Sequence, residues 1–191
     1  MRRLRVSAVV AAGVAIAATT GAPASAQSPV DATARLQGTF QMIGRLTVAS
    51  HVRGERLGQT VARNWSFSST CAAGPCPTVT LVRQRAGGSD TLDLQRRADG
   101  SYAGSASFYA ALRCGATTYP TGERVPFTIT VTVTNTSLQN GTPVASNVSA
   151  TYTNLYRINN TPCVAILGKD SASYQGSLVG PARDIKQRRR R

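Results

Sequence analysis

Period-two alternation of apolar and polar residues runs through most of the chain. The clearest case is VPFTITVTVTNT, where Phe127, Ile129, Val131 and Val133 alternate with Thr128, Thr130, Thr132 and Thr134. Successive side chains of a strand point to opposite faces, so this segment predicts a strand with one buried and one wet face. The same parity links Phe40, Met42, Leu46 and Val48; Val61, Trp65 and Phe67; Val79 and Leu81; Leu92 and Leu94; and Tyr102, Ala106, Phe108, Ala110 and Leu112. A long strand is predicted through Val144, Val148, Ala150, Tyr152 and Tyr156. A final one is predicted within 164–180, folded as a hairpin at Gly168-Lys169-Asp170.

The turns complete this pattern. Asn140-Gly141 and Asp99-Gly100 suit type I′ turns, in which both central residues take positive φ. Gly87-Gly88 can close another hairpin. Short turns between consecutive strands place each strand beside its sequence neighbour. Helical periodicity is missing beyond the N-terminus. The expected fold is all-β: an antiparallel up-and-down meander of about eight strands, closed as a barrel or curled sheet. A β-sandwich is the alternative.

The two ends read differently. Residues 1–26 combine Arg2, Arg3 and Arg5, an apolar run from Val6 to Ala18, and Ala24-Ser25-Ala26, an A-x-A cleavage site. That order predicts a secretory signal peptide. Residues 27–35 are expected to be a flexible lead-in, 36–180 the all-β domain, and 181–191 (PARDIKQRRRR) a disordered basic tail. The formal net charge of +14 therefore owes much to the ends. The expected location is extracellular, and the tail offers electrostatic retention at the cell envelope.

Four cysteines, Cys71, Cys76, Cys114 and Cys163, lie in the exported part. An even count in an exported chain favours two disulfides. Gly74 and Pro75 bend the chain between Cys71 and Cys76, so the favoured pairing is Cys71–Cys76 with Cys114–Cys163. The C-x4-C spacing lacks a second close pair for zinc and a following helix for redox chemistry. No metal and no cofactor are expected.

Two resemblances rest on particular residues. Leu36-Gln37-Gly38-Thr39-Phe40 resembles the G-x-W element that opens the barrel of calycins, the lipocalins and fatty-acid-binding proteins, with Phe40 in place of the tryptophan. That resemblance implies a cup for a small apolar ligand. Trp65-x-Phe67, two loop cysteines and then Leu81-x-Arg83 resemble uncharacterised secreted actinobacterial β-proteins over most of the exported chain. This second likeness implies no activity.

Catalytic chemistry finds little support. His51 is the only histidine and falls in ASHVRGERLG, a polar stretch expected to be a loop. A triad hydrolase would need it beside a nucleophile and a carboxylate. Asp90 and Asp93 differ by three positions, so on a strand they point to opposite faces. No phosphate loop, dinucleotide fingerprint or G-x-S-x-G is present.

The expectation is a secreted, non-enzymatic binding domain acting as a carrier of a small apolar ligand. Trp65, Phe67, Tyr102, Phe108 and Phe127 are the candidates to line its interior. The alternative is a cell-envelope or extracellular interaction module that binds an anionic surface or a protein partner. Arg83, Arg85, Arg96 and Arg97 are the candidates for anion contact, gathered on one face if their strands pair. A nucleic-acid partner is not expected, because no aromatic-basic pattern of an RNA-binding module occurs. An enclosed apolar cavity of about 300 Å3 or more would favour the carrier.

Overall fold

The computed structural model describes residues 30–180. Nine strands follow in order: β1 (Gly38–Ser50), β2 (Thr60–Ser69), β3 (Thr78–Arg85), β4 (Gly88–Arg96), β5 (Tyr102–Cys114), β6 (Thr117–Gln139), β7 (Thr142–Asn154), β8 (Ile158–Asn159) and β9 (Lys169–Gly180). All strand pairings are antiparallel. Strands β1 to β7 form a meander, and β9 closes the ring by pairing with both β1 and β7. The fold is thus an all-β, eight-stranded closed barrel, with the short β8 added beside β6. The expected signal peptide, the start of the expected lead-in and the basic C-terminal residues lie outside the described residues.

The alternation read from the sequence selects the inner face. Phe40, Met42, Trp65, Phe67, Val79, Leu81, Leu94, Ile129 and Val131 are fully buried. Phe40 meets Phe67 edge-to-face at 5.4 Å, and Trp65 packs on Tyr174 at 5.0 Å. Gly44 lies opposite Tyr174 in the β1–β9 ladder, and a Cβ there would land in the Tyr174 ring. Glycine at 44 is what lets the ring lie flat across the wall.

Three local expectations are corrected. The segment around Gly168-Lys169-Asp170 is no hairpin: the chain leaves β7, adds β8 to Glu123 and Arg124 of β6, and enters β9 at Lys169. The reason is closure, because Lys169–Gly180 is the strand that fills the gap between β1 and β7. At Asp99-Gly100 only the glycine takes positive φ (81°), and Gly100 N donates to Arg97 O at 3.0 Å. Arg97 N then donates to Ser101 O, as in a longer hairpin loop with a bulge. The β3–β4 turn falls one residue early, at Ala86-Gly87, because Arg85 pairs with Gly88. Asn140-Gly141 does have positive φ at both residues. The end of the lead-in is docked: Ala34 is buried, and Arg35 exchanges backbone hydrogen bonds with Pro143 and Ala145.

Two disulfides, Cys71–Cys76 and Cys114–Cys163, are present, consistent with an extracellular protein. The first braces the β2–β3 loop. The second ties the end of β5 to the connection between β7 and β9.

The wall is uneven between β4 and β5. Their ladder is confined to Gln95↔Ala103 and Arg96↔Tyr102. A Cβ on Gly104 would strike the Asp93 carbonyl, so the strands still touch there. Above that point they part. Ala106, Phe108 and Ala110 on the inner face of β5 are only half-buried, whereas Ile129 and Val131 on β6 are fully buried.

Candidate functional site

Chemistry concentrates at the barrel end that carries the β1–β2 and β3–β4 loops. Arg83 shares parity with Val79 and Leu81, so its place on β3 points it inward. Asp90 shares parity with Leu92 and Leu94 and faces Arg83 across the ladder. Asp90 accepts from Arg83 Nη2 at 2.6 Å and from Arg85 Nε at 2.9 Å. The Arg83 guanidinium lies 4.2 Å from the Phe127 ring centre and 4.7 Å from that of Tyr152. Arg85 lies 4.3 Å from Phe108. Aromatic faces attract such cations strongly where water is excluded.

A second ionic group lies at the same end. Arg157, in the connection after β7, donates to Glu123 at 2.7 Å and to Asp170 at 2.9 Å, and all three side chains are buried. Burial works against the Arg157 charge, yet the two carboxylates hold its pKa above the ordinary value. Glu55, from the β1–β2 loop, reaches toward this group. Burial pushes its carboxyl above the usual range, and Asp170 pushes the same way. Burial likewise raises the Tyr152 and Tyr174 phenols. Each buried arginine here has a carboxylate partner, so the cluster is neutralised from within.

The residues singled out in the sequence separate accordingly. Trp65, Phe67 and Tyr102 are packed in the barrel at 0%, 0% and 2% exposure, and Phe127 lies under Arg83. Residues around a ligand-sized void keep surface that water can touch, and these core side chains keep almost none. Phe108 is half-buried at the parting of β4 and β5. The four arginines do not share a face, because β3 and β4 are antiparallel. Arg83 and Arg85 sit inside one end, whereas Arg96 and Arg97 are exposed at the other. Arg96 lines a depression of about 410 Å3 that also holds Asp31 and Asp99. His51 is exposed in its loop and contacts Ser50 Oγ at 2.9 Å; no carboxylate is among its partners in the described residues. The described residues hold no cluster of metal-binding side chains.

A groove of about 440 Å3 lies on the outer wall across β5, β6 and β7. Ser105 and Ser107 form its β5 side, Arg124 and Pro126 its floor, and Leu155 and Tyr156 its far bank. Leu155 and Tyr156 are 70% and 60% exposed. The same connection exposes Val164 and Ile166. Sequence reading missed this bank, since it placed Tyr156 in a strand that ends at Asn154.

No family model, no curated protein and no solved structure matches this chain.

Proposed function

We propose that the chain is an exported, non-enzymatic binding domain that works through its outer wall and engages a protein partner. The carrying observation is the contrast between inside and outside. Inside, aromatic and aliphatic side chains fill the barrel and the charges are paired with one another. Outside, a groove of about 440 Å3 is flanked by exposed Leu155 and Tyr156. Exposed apolar groups beside a groove are the usual signature of a contact surface. Two disulfides and the leader sequence support action outside the cytoplasm.

Native mass spectrometry of protein purified from its own host tests this reading. Bare protein, or protein with a second polypeptide, is expected. A stoichiometric small apolar molecule that survives purification would overturn it in favour of a carrier. The tail is proposed to hold the domain near an anionic envelope. Deletion of 183–191 should then shift protein from the envelope fraction to the medium, and equal partitioning would end that idea.

A further inference from the structure

The parting of β4 and β5 leaves backbone groups without ladder partners. β4 is paired along its whole length with β3, and β5 with β6, on their other sides. On the side where they face each other, the ladder stops at Gln95↔Ala103. From Gly88 to Leu94 and from Gly104 to Cys114, no backbone pairing across the seam occurs among the described residues. Alternate N–H and C=O groups along such an edge are a template for another strand.

The two edges are not equivalent. β4 carries Asp90 and Asp93, and Asp93 is held on the outer face by Thr80 at 2.7 Å. Pairing β4 with a second β4 would bring like charges together. β5 reads YAGSASFYAAL from Tyr102 to Leu112, with no charge and no proline. Edge strands are normally blunted by charge, proline or a bulge. The register shift between β5 and β6 lies beyond Ala110, with its extra residues in β6, so Ser105–Tyr109 is left smooth. Arg83 and Arg85 stack over Phe108 behind the seam and close off the interior. An incoming strand therefore adds along β5 and does not enter the barrel.

The outer groove begins at this edge. Ser105 and Ser107 are small, so a side chain from an added strand can pass over them toward Pro126, Leu155 and Tyr156. Arg124 stands in the groove with Nε 3.3 Å from Ser107 Oγ. We infer that the free edge of β5 from Ser105 to Tyr109 receives an extended peptide segment of a partner protein, which lays an apolar side chain in the groove and a carboxylate on Arg124. The main chain supplies affinity and the groove supplies selectivity, as in other strand-addition complexes. This inference rests on the outer-wall reading above and specifies how that wall binds.

The probe is a fluorescein-labelled heptapeptide of threonine and valine, with phenylalanine and aspartate two positions apart on one face. It is titrated against the full exported chain by anisotropy, with hydrogen exchange read in parallel. Saturable binding is expected, with exchange at Ser105–Tyr109 slowed about tenfold or more. A copy N-methylated at alternate amides should bind about tenfold more weakly or worse, since each methyl removes a donor. Leu155→Ala should weaken binding several-fold while Trp65 emission stays unchanged. Equal binding of the N-methylated copy, or protection confined to Leu155 and Tyr156, overturns strand addition and leaves outer-wall binding standing. Protection of Ser105–Tyr109 that rises with protein concentration alone assigns the edge to a second copy and also overturns it. So does the lack of saturable binding at millimolar probe. A retained small molecule in the mass spectrum would instead remove the outer-wall reading itself.

Discussion

Arg83 and Asp90 face each other across the β3–β4 ladder and close to 2.6 Å inside the barrel wall. The pair is buried, flanked by Phe127 and Tyr152, and shared with Arg85. Removing one partner leaves a charge with no compensation. Asp90→Leu alone should therefore lower unfolding free energy by about 3–5 kcal/mol. The double variant Arg83→Met with Asp90→Leu should recover most of that loss, because apolar replacements avoid the desolvation penalty. Urea titrations of the four members of this cycle measure both effects. Simple additivity would show that the two residues do not act as a pair.

The two disulfides should differ in weight. Cys114–Cys163 spans 49 positions and Cys71–Cys76 only 5. Chain-entropy reasoning gives about 4 kcal/mol for the long loop and about 2 kcal/mol for the short one. Replacing both cysteines of a pair by alanine, one pair at a time, and comparing urea midpoints tests the order. A larger loss from the short pair would contradict it.

Glu55 should make stability fall as the solution turns from acid to neutral. Its folded pKa is raised above the ordinary 4.5 by burial and by Asp170. The folded chain thus holds this proton more tightly than the unfolded one. The resulting stabilisation is full below about pH 4.5 and is lost as pH rises through the folded pKa. Glu55→Gln should match the parent in acid and become the more stable of the two toward neutrality. Asp31 and Asp99 act in the opposite sense. Hydrogen bonds from Thr33 and Ser101 lower their pKa values, so their contribution fades as pH falls below about 3.8. Thermal melts across pH for the parent and for Glu55→Gln reveal the crossover.

Gly44→Ala tests the packing of the wall. A Cβ at 44 would collide with the Tyr174 ring, which packs on Trp65. Overpacking of this kind should lower stability by about 1–3 kcal/mol. Trp65 is the only tryptophan, so its fluorescence reports the displaced ring directly. An unchanged spectrum and midpoint would mean that the wall gives way freely at this point.

Much of this fold was legible because alternation fixes which face is buried. Phe127, Ile129 and Val131 point inward as their parity requires, and Asp90 and Asp93 point to opposite faces. The same parity assigns Arg83 to the core through Val79 and Leu81, and Glu123 through Val125 and Phe127. That signal is present in the alternation, yet charge on a strand ordinarily marks the solvent face. Glu55 and Arg157 come from loops, where parity has no meaning, and only barrel closure brings them to Asp170. The β4–β5 seam was equally hidden. Nothing in Ala106 or Leu92 states that two strands joined by a turn will separate above it.

Ring closure by β9 has a consequence for the order in which the chain folds. The strand that seals the barrel is made long after β1, its neighbour, and Thr39 meets Gly180 across nearly the whole folded sequence. Contacts so distant along the chain form slowly. Until Lys169–Gly180 is in place the sheet is an open ribbon, and this last strand turns the ribbon into a ring at whose rim Cys114 and Cys163 are joined.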